Sequence, residues 1–236
     1  MLGHVSNGIL SLLPDVSATL RTRLTPVSLP AGTPLYEPYE SPKFGHFLTS
    51  GVASVITSMR DGGCTETGMW GKEGLVECMH LGDSRRVPSR CFMQVGGTAL
   101  RMPFAELEAE YFATEELRLT IEQTIRTQYL ILGQLMACNR LHEAEPRLAR
   151  WLLMLRDRLN EDSVAITQEF LAEMLGSRRT TVTAVAGALQ RSGLIAYQRG
   201  RLRILDHAGL EQAACECYGV IQTLSPRVCV RAELIG

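Results

Sequence analysis

The sequence predicts an α+β fold in three successive parts: an antiparallel β-structure, a long helix, and a helix-turn-helix followed by a two-stranded wing. Three observations carry this. Short β-favouring runs punctuated by glycine turns fill the first hundred residues. From 104 to 145 only Gly133 interrupts a stretch otherwise free of Gly and Pro. Between Met174 and Leu205 six arginines stand without a single Asp or Glu, in a chain of 24 basic and 25 acidic residues.

The β-rich part begins with runs at 27–29, 34–36, 44–49 and 53–59. Ala31-Gly32, Ser50-Gly51 and Asp61-Gly62-Gly63 mark the turns between them. Runs at 91–95 and 99–102 flank Gly96-Gly97. Short strands at this spacing point to a sandwich or a roll. A short helix is expected over 104–112. Thr114 then offers an N-cap, with Glu115 and Glu116 placed to complement the dipole of a helix running to about Asn139. Ile121, Ile125, Leu132 and Leu135 follow a seven-residue repeat with Gln128 at the polar position. The repeat suggests a seam between two chains and places Tyr129, Leu130 and Met136 on other faces.

Pro146 sits in the first turn of the next helix, whose apolar stripe is Leu148, Trp151, Leu152, Leu155 and Leu159. "NEDSVA" reads as a polar break. Thr167 caps a short helix that Gly176 ends, and Ser177 or Arg178 opens a second helix that ends near Ser192-Gly193. Alternating strands at 194–198 and 201–205 flank Arg199-Gly200 as a hairpin turn. Two helices across a tight turn and then a β-ribbon make a winged helix-turn-helix. In that geometry the second helix enters the DNA major groove and its first residues reach the base edges. Val182, Val185 and Leu189 are expected inward, leaving Arg179, Thr180 and Thr183 outward. A bidentate arginine reads guanine, whereas Arg191, Arg199, Arg201 and Arg203 suit phosphate. Arg178 and Arg179 at a helix start oppose the dipole, which favours an external anion there.

With 45% hydrophobic and 21% charged residues the composition is that of a soluble globular protein, and no apolar run is long enough to span a membrane. The N-terminus lacks the pattern of a signal peptide, so the cytoplasm is the expected compartment. Seven cysteines, at 64, 78, 91, 138, 215, 217 and 229, include no Cys-x-x-Cys pair. They read as reduced thiols, several of them buried, with no metal site. Cys215 and Cys217 are expected in one helix, facing different sides. Nothing supports catalysis: there is no phosphate loop, nucleophile elbow or paired-His motif.

Over nearly its whole length the sequence resembles the Crp/Fnr family of bacterial transcription regulators. "LPAGTPLYEPYESPKFGHFLTSGVASVITSMRDGGCTETGMWGKEGL" is similar to the family's cyclic-nucleotide-binding-like β-roll, or jelly roll, with Gly32, Gly51 and Gly74 at turns. The helix over 114–139 resembles its dimerisation helix. "ITQEFLAEMLGSRRTTVTAVAGALQRSGLI" is close to its DNA-binding signature. The resemblance implies a sensor domain over 1–113, a dimerisation helix over 114–140 and a winged helix-turn-helix over 141–236. It further implies a homodimer on a palindromic site in double-stranded DNA, with RNA polymerase as a partner of an activator. The DNA-contacting residues are expected to be Ser177, Arg178, Arg179, Thr180, Thr181, Thr183, Arg191, Arg199 and Arg201.

The effector region departs from the family pattern. Cyclic-AMP-binding relatives have a Gly-Glu-Leu segment whose Glu bonds the ribose, and an Arg-Ser/Thr-Ala segment whose Arg holds the phosphate. Here the region reads "GKEGLVECMHLGDSRRVPSR", with Glu73 displaced from Gly71 and Arg86-Val87 or Pro88-Ser89 in place of the Arg-Ser pair. Proline removes an amide and fixes φ, so cyclic AMP is not expected as the effector. The family's iron–sulfur branch uses an N-terminal cysteine cluster, and no cysteine precedes Cys64. Cys78-Met79-His80 is similar to the Cys-x-His haem ligands of a carbon-monoxide-sensing relative, but falls in what reads as an inserted loop, so no cofactor is expected. The alternative reading is a ligand- or redox-sensing module, through haem or a thiol, that acts mainly by protein contacts.

Overall fold

The computed structural model describes residues 7–13, 20, 22–83 and 86–225. They form two compact units, one of 1–55 with 68–129 and one of 56–67 with 130–236.

Two sheets belong to the first unit, apart from the ends of two of their strands that fall within 56–67. Strands β1 (Thr25–Leu29), β7 (Gly97–Pro103) and β3 (Phe44–Leu48) form one, in the order β1-β7-β3. Both pairings are antiparallel, with Leu100 opposite Pro26 on one side and Phe47 on the other. Strands β2 (Pro34–Tyr36), β6 (Arg90–Val95), β4 (Val52–Ser58) and β5 (Cys64–Trp70) form the second, in the order β2-β6-β4-β5. Strand β5 has no counterpart among the expected runs; its Thr, Glu and Gly residues hide its β character. Gly51 adopts φ +80 where its turn crosses the β6–β7 turn, and a Cβ on Gly97 would stand 2.1 Å from the Ser50 carbonyl oxygen. Neither position admits a side chain.

Phe47, Leu48, Leu75, Met93, Leu100 and Met102 fill the core of this unit. Two buried polar groups tie loops to it. Asn7 caps the short helix α1 (Gly8–Ser11) and donates from its amide to the carbonyls of Leu48 and Gly74, at 3.0 and 2.8 Å. The Glu77 carboxylate takes the His46 backbone N–H and binds the His46 ring, both at 2.7 Å. Cys78-Met79-His80 is a 3-10 turn that buries Cys78 and His80 and leaves Met79 exposed, rather than a loose insertion. The His80 ring packs edge-on against Tyr36, 4.3 Å between centroids, and against Phe104.

Helix α2 (Phe104–Ala113) buries Phe104 and Leu107 on the core. Helix α3 (Glu115–Leu141) carries Glu115 and Glu116 in its first turn, as its dipole favours. The heptad reading of α3 needs correction. Ile121 is fully buried in the core of its own chain, and Ile125 packs partly against that core. The apolar residues that α3 leaves exposed at three- and four-residue spacing are Tyr129, Leu132 and Met136. The core needed Ile121 more than a seam did.

In the second unit, α4 (Ala144–Leu159) buries Leu148, Trp151, Leu152 and Leu155, and Asn160 closes it in the left-handed conformation. The Trp151 indole N–H donates to Glu66 at 2.9 Å. Part of the expected polar break is strand β8 (Ser163–Ala165). It pairs with β10 (Arg201–Ile204), which also pairs with β9 (Ile195–Gln198), giving a three-stranded sheet in the order β8-β10-β9. Helices α7 (His207–Ala213) and α8 (Cys217–Leu224) follow. Cys215 lies in the turn before α8 and Cys217 is its first residue, so the two cysteines do not occupy opposite faces of one helix as expected.

Burial pushes the His80 imidazole down to about 4. Neither ring nitrogen has a hydrogen-bond partner among the described residues, so the ring is held neutral. An unfolded chain takes up that proton near 6.5. Between these values the unfolded state binds more protons, so the stability that neutral His80 contributes is intact above about pH 6.5 and lost as pH falls toward 4. Urea unfolding across this window should show stability rising with pH, and His80→Phe should flatten that slope.

Candidate nucleic-acid interface

The helix-turn-helix starts at Thr167, whose hydroxyl accepts the Phe170 N–H at 3.1 Å and caps α5 (Gln168–Leu175). Gly176 ends α5 at φ +57, a left-handed position that a side chain resists, and turns its N–H back to the carbonyls of Ala172 and Glu173. The chain is then redirected within three residues into α6 (Arg179–Arg191). On α6 the buried stripe is Val182, Ala186 and Leu189. Val185, expected inward, is only half-buried, and Ala186 takes its place. A small residue there brings the helix close to its neighbours.

The opposite face of α6 carries Thr180, Ala184, Gly187 and Arg191 at four- and three-residue spacing. Ala184 and Gly187 were not singled out from the sequence, because nothing in a short side chain signals binding. Their value is shape: they leave the centre of the face bare. A Cβ on Gly187 would stand 3.3 Å from an Arg191 guanidinium nitrogen, so the arginine lies back over this gap.

The start of α6 is electrostatically open. Arg178 occupies the N-cap with an extended backbone, makes no side-chain cap bond, and no acid stands in the first turn. The first amide N–H groups of a helix have no partner within it, so they and the positive end of the dipole face outward together with Arg178 and Arg179. Both arginines, Thr180 and Thr181 are exposed. Ser177 is half-buried, with its hydroxyl 3.3 Å from the Leu175 carbonyl. The Thr183 hydroxyl is within bonding distance of both the Arg179 carbonyl, 2.9 Å, and the Gln168 side-chain oxygen, 2.8 Å. A hydroxyl has one proton, so Thr183 donates to only one of these at a time, and its exposed oxygen can still accept.

The wing presents its charges by parity. On β10, Leu202 and Ile204 are buried while Arg201 and Arg203 are exposed. Arg199 sits exposed in the turn at φ +50, beside Gly200 at φ +72. The Gln190 side chain accepts the Tyr197 backbone N–H at 2.9 Å, tying the end of α6 to β9, and the Tyr197 hydroxyl donates to the Ile166 carbonyl at 2.9 Å. The nine residues singled out from the sequence thus lie on α6, its entry and the wing turn, eight of them exposed.

The Arg86 side chain is 86% exposed and bonded to Asp83 at 2.7 Å, so it points to solvent. Ser89 is buried and hydrogen-bonded to Tyr36. Ser84 and Arg85, in the same segment, lie outside the described residues.

Comparison with known proteins agrees with this geometry. Residues 146–213 match the Crp-like helix-turn-helix domain. No curated protein matches the chain by sequence. Among solved structures, the chain is similar to a CRP-family transcriptional regulator from Thermus thermophilus, with a TM-score of 0.68 at 20% identity over 80% of this chain and 96% of that one. It is similar to FixK2 from Bradyrhizobium japonicum, with a TM-score of 0.68 at 13% identity over 81% and 98%. It is also similar to CLP from Xanthomonas campestris, a c-di-GMP-responsive global regulator, with a TM-score of 0.67 at 15% identity over 82% and 99%. No helix among the described residues is long and apolar enough to cross a membrane. Residues 146–213 are therefore a Crp-like helix-turn-helix domain, carried on a chain with the fold of the Crp/Fnr transcription regulators.

Proposed function

We propose that this chain is a sequence-specific transcription regulator of the cytoplasm that binds double-stranded DNA as a homodimer, on a palindromic site. One observation carries the reading: the open, acid-free start of α6, with Arg178, Arg179 and Thr180 exposed beside the basic wing turn. Arg179 and Thr180 suit base edges, because the first turn of a recognition helix reaches deepest into the major groove. Thr181, Arg191, Arg199 and Arg201 suit phosphates, and the α6 amides add an anion site at its entry. Ser177, half-buried, supports the motif and contributes less to contact, and Thr183 is exposed with its proton held by the motif. Where the regulator activates, RNA polymerase is its second partner.

The dimer reading rests on α3. Tyr129 and Met136 are 76% and 65% exposed, and Leu132 lies between them on the same face. Large apolar groups left open along one helix face mark an interface rather than a solvated surface. The effector is proposed to be something other than cyclic AMP, because Arg86 points to solvent and Arg90, the other described arginine of that segment, lies beside Glu37 and over the Phe92 ring.

Three measurements test this. Arg179→Ala should cost about 1–3 kcal/mol per half-site and relax preference at one base pair. Arg201→Ala should weaken all sequences alike and flatten the salt dependence. Binding of both variants to a cognate site and its single-base variants, across several salt concentrations, separates the roles; the opposite assignment would refute them. Light scattering should give about twice the 26.1 kDa chain mass, and Leu132→Glu with Met136→Glu should halve it. A monomeric wild type at micromolar concentration would sink the dimer. Titration calorimetry with cyclic AMP should show no binding; micromolar affinity abolished by Arg86→Ala would overturn the effector reading.

A further inference from the structure

Two pairs of residues that are distant in sequence meet within the second unit. Cys138 lies in the last turn of α3 and His142 just beyond its end, four residues on. Cys215 and Cys217 flank Glu216 at the start of α8. One ligand atom from each of the four lies within 4.8 Å of every other. The Cys138 and Cys215 sulfurs are 3.4 Å apart, and the Cys217 sulfur is 3.6 Å from His142 Nδ1. A disulfide needs about 2.05 Å, so no bond joins the two sulfurs. With zinc–sulfur and zinc–nitrogen bonds of about 2.3 and 2.0 Å, the corners of a tetrahedron stand about 3.5–3.8 Å apart, close to the spacings seen.

We propose that Cys138, His142, Cys215 and Cys217 bind one zinc ion in a closed Cys3His site that staples the end of α3 to the α7–α8 turn.

The surroundings suit that ion. All three thiols are buried. The other ring nitrogen of His142, Nε2, is 3.2 Å from the Glu216 carboxylate. That is the outer contact that fixes the ring of a metal-bound histidine and leaves Nδ1 free to ligate. Gln134 donates its amide to the Cys217 sulfur at 3.0 Å, a bond that a thiolate receives better than a thiol. Binding releases three thiol protons to solvent, so three thiolates, a neutral imidazole and Zn2+ leave the site with one net negative charge. Arg150 meets that charge: it is 3% exposed, its Nε has no partner among the described residues, and its charge acts on both Cys138 and Cys215. The four ligand atoms are too close together to be shared among the several irons of a cluster, each of which would hold its own ligand. Four protein ligands leave no open position for substrate or water, so the site is structural.

The test uses the full chain, purified under reducing conditions without added metal. Elemental analysis should find one zinc per chain that survives dialysis. Cys217→Ser and His142→Ala should lose it, whereas Cys64→Ser and Cys91→Ser should keep it. Cobalt(II) in place of zinc should give the intense visible bands of a tetrahedral thiolate site. Glu216→Gln alters only an exposed side chain, so it leaves the fold intact and should weaken zinc binding about 10–100-fold in a chelator competition. The proposal is overturned by a metal-free wild type, by zinc retained in Cys217→Ser, by unchanged affinity in Glu216→Gln, or by a Cys138–Cys215 disulfide in a chain that takes no metal.

Discussion

The arrangement of the candidate DNA-binding surface depends on the burial of three side chains, Val182, Ala186 and Leu189, along one stripe of α6. Each fully buried aliphatic side chain of the size of Val or Leu contributes about 1.5–3 kcal/mol, and a helix that buries such a stripe cannot rotate without losing it. Its rotation then decides which residues face outward. Thr180, Ala184, Gly187 and Arg191 are on the outer face because the other three are not. The wing obeys the same rule at a period of two: Leu202 and Ile204 go in, so Arg201 and Arg203 come out. No arginine in this surface needs a partner of its own to be aimed.

The first unit uses a different device. Its long connection between β5 and β6 packs Leu75, Val76 and Cys78 into the core and is also tied there by polar groups. Glu77 reaches under β3 and takes both the backbone N–H and the ring of His46, while Asn7 bridges to Leu48 and Gly74. Buried polar groups with several bonds each specify one arrangement where apolar contacts would accept many. The described part of that connection is thereby fixed in place. Tyr36, Ser89 and His80 pack together there, and Arg86 points to solvent.

Much of this was legible in the sequence because it rests on local chemistry. The Thr167 cap, the Gly176 stop, the acid-free helix start and the Arg199-Gly200 turn all stand in the structure where the sequence places them. What was missed rests on distant chemistry. Strands β5 and β8 hold polar residues and count as strands only because β4 and β10 lie beside them. The repeat at 121, 125, 132 and 135 is real as spacing, yet spacing does not say whether Ile121 is covered by a partner or by its own core. The cysteines and His142 fit no metal motif, because the two halves of their cluster lie more than seventy residues apart and meet only after α7 folds back. Ala184 and Gly187 are legible only once the buried stripe is known.

Arg199 holds a left-handed backbone, φ +50, in a two-residue turn whose second position is Gly200. That turn geometry favours asparagine at the first position, and for most other residues the conformation costs roughly 1–2 kcal/mol. The wing therefore keeps a charge at its tip against the preference of its own backbone. On the role proposed for Arg199, selection for heat resistance and selection for promoter occupancy pull this codon in opposite directions: the first toward asparagine or glycine, the second toward arginine. If Arg199 contacts phosphate as proposed, a version of the chain thermostabilised without watching DNA binding loses its grip at the wing first.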